Sequence, residues 1–178
     1  MKQGKDCTIY ATAKIIGPEN LVVGDYTIID DFVLIVARPW VRLGSHVHIA
    51  GFTSIVGGGT FYMGDYSTLS WGTRIFTGTE DVSGQSLLGA AVPAPYRVPR
   101  RSFVTIGKHC MIGANSVILP AVEIPDGVVV GAMSLVLEGA KLKPWSVYAG
   151  CPVRFLRERP REKSLELEIE LEQSHRPQ

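Results

Sequence analysis

The chain contains few side chains that combine reactive chemistry with a defined position. Of its four histidines, His48 directly precedes the apolar Ile49 in a strand-like segment, so we expect its imidazole to point outward. An imidazole is the usual general base near neutral pH, which makes His48 the candidate base. The alternative is a histidine whose hydrogen bonds are satisfied at an interface with a neighbouring chain. His46 and His109 lie in turn-like GSH and GKH segments, where solvated side chains are expected, and His175 lies in a polar C-terminal stretch.

A pair of acidic residues is the second feature that could take part in a reaction. Glu80 and Asp81 follow the segment RIFTGT and precede Val-Ser-Gly. Carboxylates can orient an imidazole or stabilise its charged form, although solvated loop carboxylates have the same composition. If His48 is idle, Glu80 is the fallback base, and an ordinary carboxylate is the weaker base near neutral pH.

Composition and charge exclude several classes of function. A formal net charge of +1 provides no basic field for nucleic acid, so no nucleic-acid partner is expected. The N-terminus lacks the apolar core of a signal peptide, and no apolar run approaches a membrane span. We therefore expect a cytoplasmic protein without an integral membrane segment.

Metal chemistry finds no support in the ligand-type residues. The three cysteines, Cys7, Cys110 and Cys151, have no metal-like spacing and are expected to be reduced thiols. His46 and His48 are two positions apart, and no second histidine pair accompanies them. No metal site is expected.

A six-residue period must position these candidates. Apolar residues return every six positions, the step widens to eight after Ile35 and Ile55, and a longer interruption follows Ile75. These repeat positions are Val23, Ile29, Ile35, Leu43, Ile49, Ile55, Met63, Leu69, Ile75, Ile106, Ile112, Ile118, Ile124, Val130 and Val136. Such a unit is too short for a helical repeat and suits a short strand plus a corner.

Two further columns support this interpretation. A small or β-branched residue often stands four positions after a repeat position, as at Thr27, Ser67 and Ser116. Glycine often follows the repeat position directly, as at Gly24 and Gly64, and is expected to relieve the backbone at the bend. Three units would complete one triangular coil. The sequence therefore predicts an all-β fold, a parallel β-helix.

The repeat pattern, an aliphatic residue, glycine, two variable positions and a small residue, resembles the hexapeptide-repeat acyltransferase superfamily. That resemblance implies a left-handed coil, against the usual crossover preference. Residues 64–124 resemble the maltose, galactoside and virginiamycin acetyltransferase branch, including the motif IGKHCMIGANSVILPAVEI. The segment VHIAGFTSIVGGG resembles polysaccharide and lipopolysaccharide acetyltransferases.

Departures from the repeat define the remaining organisation. We expect a β-helix domain over residues 1–158 with one long loop at 77–104, rich in Pro, Gly and Ser. PWSVYAGCPVRFLRER resembles a closing segment that ends in a short helix. Residues 159–178 form a charged tail in which SLELEIELEQ has a period of two, typical of an edge strand, and a content that also suits a helix.

The resemblance also implies a donor and an assembly. The branch's catalytic histidine aligns with Glu80, so the site cannot be transferred directly. The donor is expected to be acetyl-CoA, bound between two chains of a homotrimer along the C-terminal coils. The residues expected to contact it are Gly113, Ala114, Gly131, Ala132, Lys141, Arg154 and Arg157. Arginine would meet its phosphates.

The expected function is acetyl transfer to a saccharide hydroxyl in surface polysaccharide or lipopolysaccharide synthesis. The alternative acceptor is an amino sugar on a nucleotide, for which Tyr96, Arg97, Arg100 and Arg101 of the loop offer contacts. Acetylation of an antibiotic is a third option. A non-catalytic β-helix scaffold is the alternative from a different class.

Overall fold

The computed structural model describes residues 1–175, and most of them form short strands wound into stacked triangular coils. The strands in chain order are β1 Lys2–Gln3, β2 Thr8–Ile9, β3 Lys14–Ile16, β4 Leu21–Val23, β5 Ile28–Ile29, β6 Leu34–Val36, β7 Val41–Leu43, β8 His48–Ile49, β9 Ser54–Val56, β10 Thr60–Met63, β11 Thr68–Leu69, β12 Arg74–Phe76, β13 Gly78–Thr79, β14 Arg100–Arg101, β15 Phe103–Ile106, β16 Met111–Ile112, β17 Val117–Ile118, β18 Val122–Ile124, β19 Val129–Val130, β20 Leu135–Val136, β21 Ser146–Gly150 and β22 Val153–Glu158. A helix, α1, spans Glu162–Ser174, and 3-10 turns span Pro18–Asn20 and Ala94–Tyr96.

Three sheets form the faces of the prism. Sheet A contains β1, β4, β7, β10, β15 and β18, and sheet C contains β3, β6, β9, β12, β17 and β20. Sheet B contains β2, β5, β8, β11, β16, β19 and β21, and β22 closes it as an antiparallel edge. The chain visits the sheets in the order A, B, C, and parallel pairing joins residues 20 apart in the first coils, as in Ile29 with Ile49. The parallel β-helix predicted from the repeat, with the left-handed coil that the resemblance implies, is confirmed.

The repeat positions form the core. All fifteen are at most 3% exposed, so each aliphatic side chain stacks on its counterparts in the coils above and below. The small residues four positions later are also buried, and their hydroxyls hold the coils together. Thr27, Ser67 and Ser116 donate to carbonyl oxygens of the next coil at 2.8, 2.9 and 2.9 Å.

The glycines that follow the repeat positions act differently from our expectation. Gly24 and Gly64 do not adopt left-handed backbone conformations. Instead, a Cβ at Gly24 would lie 2.5 Å from the carbonyl carbon of Gly44 in the next coil. The bend itself falls two residues later, on non-glycine residues such as Tyr26 and His46, each with φ of 55°. Close stacking of coils therefore requires these glycines, and the expectation that they relieve the bend is wrong.

Stacked rings line the corner between sheets A and B. Their centroids are 4.8 to 5.5 Å apart along the column Tyr26, His46, Tyr66, His109 and Trp145. Lys5 and Arg159 contact the two ends of the column as cation–π partners. The His109 side chain is only 9% exposed, so the expectation that it is solvated is wrong. His46 is partly exposed and stacks between Tyr26 and Tyr66.

Helix α1 packs along this corner. Glu168 accepts from Nε2 of His109 at 2.7 Å and pairs with Nζ of Lys108 at 3.4 Å. At the end of α1, the ring of His175 stacks on Tyr26 at 4.7 Å. Leucine and glutamate favour helix, and these contacts fix it, so the edge strand suggested by the period of two does not form. Within residues 1–175, no helix has both the length and the apolar character needed to cross a bilayer.

Truncating a repeat position should destabilise the fold sharply. Ile112 is fully buried, and Ile112→Ala should lower the free energy of unfolding by about 2–5 kcal/mol because it opens a cavity in the central stack. The adjacent Met111 is 40% exposed, and Met111→Ala should cost less than about 1 kcal/mol. Urea unfolding of both variants checks this, and equal losses would contradict the assigned core.

Acid should reveal a second stabilising interaction. The carboxylate of Asp65 accepts from the Ser45 N–H and from Lys108 Nζ, each at 2.9 Å. Burial opposes ionisation, but these partners outweigh it and hold the pKa of Asp65 below its usual value. A depressed folded-state pKa contributes stability above the unfolded-state pKa, and that stability is lost as pH falls through the folded value.

Asp65→Asn should therefore cost about 0.5–1 kcal/mol at neutral pH, and the difference from wild type should shrink as the pH falls below the usual pKa of an aspartate. Unfolding measured from pH 7 to pH 2.5 checks this. Glu166→Gln is the control, because Glu166 forms only an exposed pair with Lys163. A constant difference for Asp65→Asn across the range would contradict a charge-based contribution.

Candidate active site

His48 lies on the outer face of sheet B, as its position before Ile49 predicts. Strand β8 pairs with β5 and β11, so Ile28 and Thr68 flank His48. The His48 N–H donates to the Ser67 carbonyl at 3.1 Å, and the Thr68 hydroxyl donates to the His48 carbonyl at 3.2 Å. The backbone is therefore fixed on both sides, while the side chain is 45% exposed.

An aspartate that sequence reasoning missed contacts this imidazole. Oδ2 of Asp30 lies 3.1 Å from Nε2 of His48. Ile28 stands directly opposite His48 in the register, and Asp30 follows two residues later on the same outer face. The 20-residue period was visible in the sequence and is the signal that could have placed Asp30 beside His48.

The long loop leaves the corner between sheets C and A. Strands β13 and β14 pair in antiparallel fashion, with Gly78 opposite Arg101 and Thr79 opposite Arg100. This two-stranded stem narrows the free loop to residues 80–99 of the expected 77–104. It brings Glu80, Asp81 and Arg97 together at the mouth of the loop.

Glu80 lies in a cleft of about 680 Å³ at the base of this loop. Its Oε1 is 3.6 Å from a terminal guanidinium nitrogen of Arg97, too far for a hydrogen bond. Oε2 of Glu80 and Nε of Arg97 are both buried without a hydrogen-bond partner. Buried polar atoms are normally satisfied, and this oxygen has almost no accessible surface in the single chain. The Glu80 side chain as a whole is 35% exposed, so the carboxylate is partly open to the cleft.

Asp81 instead shapes the loop. Its carboxylate accepts from the N–H groups of Ser83 at 2.9 Å and Gln85 at 3.2 Å, and from the hydroxyl of Ser86 at 3.1 Å. Hydrogen bonds from Ser83, and then from Ser86 and Gln85, hold the pKa of Asp81 below its usual value. A catalytic part for Asp81 stays a prediction, while its contacts define a turn.

The two groups of candidates lie at different edges of the prism. His48 and Asp30 are on sheet B, while Glu80 and Asp81 extend from the corner between sheets C and A. Within residues 1–175 of one chain, the hydrogen-bond and ion-pair partners of His48 include no residue of the loop. The expectation that the acidic pair reaches His48 from an adjacent chain therefore stays a prediction.

The small residues expected to contact the donor lie at the corner between sheets B and C. A Cβ at Gly113 would lie 2.4 Å from the amide nitrogen of Ala132, so close stacking requires this glycine. A Cβ at Gly131 would lie 2.9 Å from that of Ala149. Ala114 and Ala132 are the small side chains left at the surface of this corner.

The basic donor candidates lie at the C-terminal end. Arg154 and Arg157 are exposed on β22, opposite Ala149 and Val147 of β21. Lys141 lies in the segment after β20 and borders a cleft of about 430 Å³ over sheet A. All three cations face solvent, Lys141 over sheet A and the two arginines on the edge strand of sheet B.

The loop arginines are already engaged. Arg100 forms a two-pronged ion pair with Glu138, one prong at 2.9 Å, and Arg101 donates to the Gly58 carbonyl at 3.3 Å. Arg97 pairs loosely with Glu80, while Tyr96 is 63% exposed. Tyr96 and Arg97 are thus the acceptor candidates that retain free surface or unsatisfied atoms.

Thiol and metal chemistry have little basis in the part of the chain described. Cys7, Cys110 and Cys151 are unpaired thiols there, and burial raises the pKa of Cys110 to about 11, which makes it a poor nucleophile. Residues 1–175 contain no cluster of three His, Cys, Asp or Glu side chains that could hold a metal ion.

Comparison with known proteins identifies relatives over nearly the whole chain. Residues 103–138 match the family model described as bacterial transferase hexapeptide (six repeats). The Escherichia coli dTDP-4-amino-4,6-dideoxy-D-glucose acyltransferase is 33% identical over 93% of this chain and 85% of its own length. AntD, an N-acyltransferase from Bacillus cereus solved with dTDP and 3-hydroxybutyryl-CoA, superposes with a TM-score of 0.88. It is 38% identical over 96% of this chain and 89% of its own.

A more distant relative matches the saccharide expectation. The putative colanic acid biosynthesis acetyltransferase WcaF of Escherichia coli is 28% identical over 89% of this chain and 69% of its own length. The three proteins share an acyl-transfer description, and only the first two are described with a dTDP-linked compound.

Removing the Asp81 carboxylate should loosen the loop. Asp81→Ala eliminates the acceptor for two backbone N–H groups and one hydroxyl, so the amides of residues 83–86 should exchange with solvent at least about tenfold faster. Hydrogen exchange followed by mass spectrometry measures this. Amides of β16 are the internal control, and unchanged exchange in the loop would contradict the structural part assigned to Asp81.

Proposed function

Because this chain belongs to the hexapeptide-repeat acyltransferases and is an acyl-CoA-dependent enzyme, we propose that it acylates the amino group of a nucleotide-linked amino sugar. The proposal is supported by the E. coli acyltransferase of a dTDP-amino sugar and by the B. cereus N-acyltransferase that binds dTDP. The non-catalytic scaffold considered from sequence is set aside, since these relatives are enzymes along nearly their full length.

The unpartnered oxygen of Glu80 carries the chemical part of the proposal. An amine reacts only as its free base, and it loses one further proton when the amide forms. A carboxylate binds the ammonium form and accepts the first of these protons, which then passes to solvent, and His48 accepts the second as the amide forms. A sugar hydroxyl gains less from a carboxylate. Glu80 borders the loop cleft with 35% of its side chain exposed, and Oε2 has no partner in the single chain, so a bound amine would meet a carboxylate without a competing hydrogen bond.

A spacing in the B. cereus enzyme supports the same assignment. That protein has been solved with substitutions at one serine and at one aspartate ten residues after it. In this chain Ser70, directly after β11, stands ten residues before Glu80. Ser116 and Asp126 have the same spacing, but the Ser116 side chain is fully buried. We propose that Ser70 and Glu80 both face the acceptor amine, and sequence reasoning had not singled out Ser70.

The reaction balances without a further reactant. The amine nitrogen attacks the thioester carbonyl carbon, the carbon–sulfur bond breaks, and the thiolate of coenzyme A leaves. The proton lost by nitrogen passes through a protein base to the thiolate. His48 remains the proposed base, and Gly113, Ala114, Gly131, Ala132, Lys141, Arg154 and Arg157 remain the proposed donor contacts.

Transfer to a saccharide hydroxyl, our first expectation, has weaker support. Its relative WcaF is 28% identical, compared with 33% for the relative that acts on a dTDP-amino sugar. The acidic cleft gives no reason to prefer a neutral hydroxyl over an amine. The amino acceptor, considered second from sequence, becomes the preferred one.

A homotrimer is the assembly that we propose. His48 on sheet B and Glu80 on the far corner would meet only if the loop of one chain reached sheet B of the next. The loop supports such a contact, because Val82, Leu87, Leu88 and Val98 are each at least 60% exposed in the single chain. Closed cyclic symmetry would cover these side chains and form three equivalent sites.

Neutralising Glu80 should impair catalysis more than donor binding. With acetyl-CoA and dTDP-4-amino-4,6-dideoxyglucose as probes, Glu80→Gln should lower kcat about 10²-fold, because the amide cannot take a proton. The KM for acetyl-CoA should change less than about threefold. Release of the coenzyme A thiol measures both kcat and KM. Glu19→Gln, at an exposed glutamate, is the control. A wild-type kcat in Glu80→Gln would show that Glu80 is not part of the site.

Mixing two inactive variants should restore activity if the site is shared. His48→Ala and Glu80→Gln chains, unfolded together and refolded, should regain about a quarter of wild-type activity, since random mixing leaves that share of sites intact. Each variant refolded alone is the control. Light scattering of the refolded protein should give about three times the chain mass of 19.4 kDa, as expected for a trimer. Absence of recovery in mixed trimers would place both residues in one chain's site or outside it.

A further inference from the structure

Asp30 is the charged partner that the fold supplies to His48. The Oδ2–Nε2 distance of 3.1 Å is within hydrogen-bonding range, and the Asp30 side chain is 23% exposed against 45% for His48. The flanking residues in the column, Ile28 and Thr68, carry no charge. Within residues 1–175, Asp30 is thus the acidic group in contact with the imidazole, in the position that sequence reasoning had given to Glu80 and Asp81.

The backbone fixes this contact independently of the side chains. The Asp30 N–H donates to the Ile49 carbonyl at 2.9 Å, which continues the ladder between β5 and β8 by one residue. His48 is held from the other side by the Ser67 carbonyl and the Thr68 hydroxyl. Both residues therefore start from rigid positions on adjacent coils, about 4.8 Å apart.

The neighbouring Asp31 shows that the contact is specific to Asp30. Its carboxylate turns to the preceding coil, where it accepts from the hydroxyl of Thr12. The two aspartates thus lie at the same corner, but Asp30 contacts the following coil and Asp31 the preceding one. Asp31 is consequently a matched control for removing one negative charge from this surface.

We propose that Asp30 is the positioning residue of His48, holding the imidazole with its proton on Nε2 and its lone pair on Nδ1. This inference rests on the proposed function, in which His48 is the base. A neutral imidazole has one donor and one acceptor nitrogen, and a carboxylate on Nε2 selects the donor there. Nδ1 then takes the proton released by the acceptor amine, while the Nε2–H bond to Asp30 is kept and stabilises the resulting charge.

Kinetics of four variants test this arrangement. With the same two probes, Asp30→Asn should lower kcat at least about tenfold and leave the KM for acetyl-CoA unchanged, because only proton acceptance is impaired. Asp30→Glu should recover most of the loss, and Asp31→Asn should match wild type. His48→Gln should be at least as impaired as Asp30→Asn.

Nitrogen-15 NMR of the imidazole supplies a readout that a structural role would not change. The His48 signals, identified by their loss in His48→Gln, should show the Nε2–H tautomer in wild type and a mixture in Asp30→Asn. If Asp30→Asn keeps the wild-type kcat and tautomer while His48→Gln is inactive, the proposal for Asp30 is overturned, but His48 remains the base. Full activity of His48→Gln would contradict both the role of His48 as base and the role of Asp30 as its positioning residue. If the wild type does not acylate the probe, the proposed function fails, and the tautomer comparison still decides whether Asp30 orients the ring.

Discussion

The close approach of successive coils is the constraint on which the rest of the structure depends. Glycines such as Gly24 and Gly64 leave no room for a Cβ against the next coil, and buried hydroxyls at Thr27 and Ser67 bridge the same gap. The fully buried repeat positions can stack only at that spacing. Because the coils are locked in register, residues outside the prism also acquire fixed neighbours, and this places Asp30 beside His48.

Part of the proposed site lies where the chain leaves this regular scaffold. The hairpin stem of β13 and β14 projects a loop whose mouth holds a buried, unsatisfied carboxylate oxygen at Glu80. Buried polar atoms are normally hydrogen-bonded, so a carboxylate without a partner fits a site that binds an amine. The scaffold presents His48 on one face and Glu80 at another corner, so a complete site on this account needs two chains. A rigid prism is well suited to that arrangement, since it carries each half without deforming.

The periodic part of this structure is predictable from sequence because each six-residue unit meets the same environment. The core, the three faces and the corner from which the loop departs all follow from that period. The stacked rings from Tyr26 to Trp145 and the Asp30–His48 contact do not follow from residue type, since both depend on register between coils. The tail illustrates a different limit: its period of two is that of a strand, yet Glu168 and His109 pair across a corner to fix a helix.

The identity of the acylated atom tests the central claim most directly. Wild-type enzyme would be incubated with acetyl-CoA and dTDP-4-amino-4,6-dideoxyglucose, and the purified product examined by proton and carbon NMR. The account predicts a single product with the acetyl group in an amide at the sugar nitrogen, and one coenzyme A thiol released per product. An acetyl ester on a sugar hydroxyl, or thiol release without an acylated sugar, would contradict it.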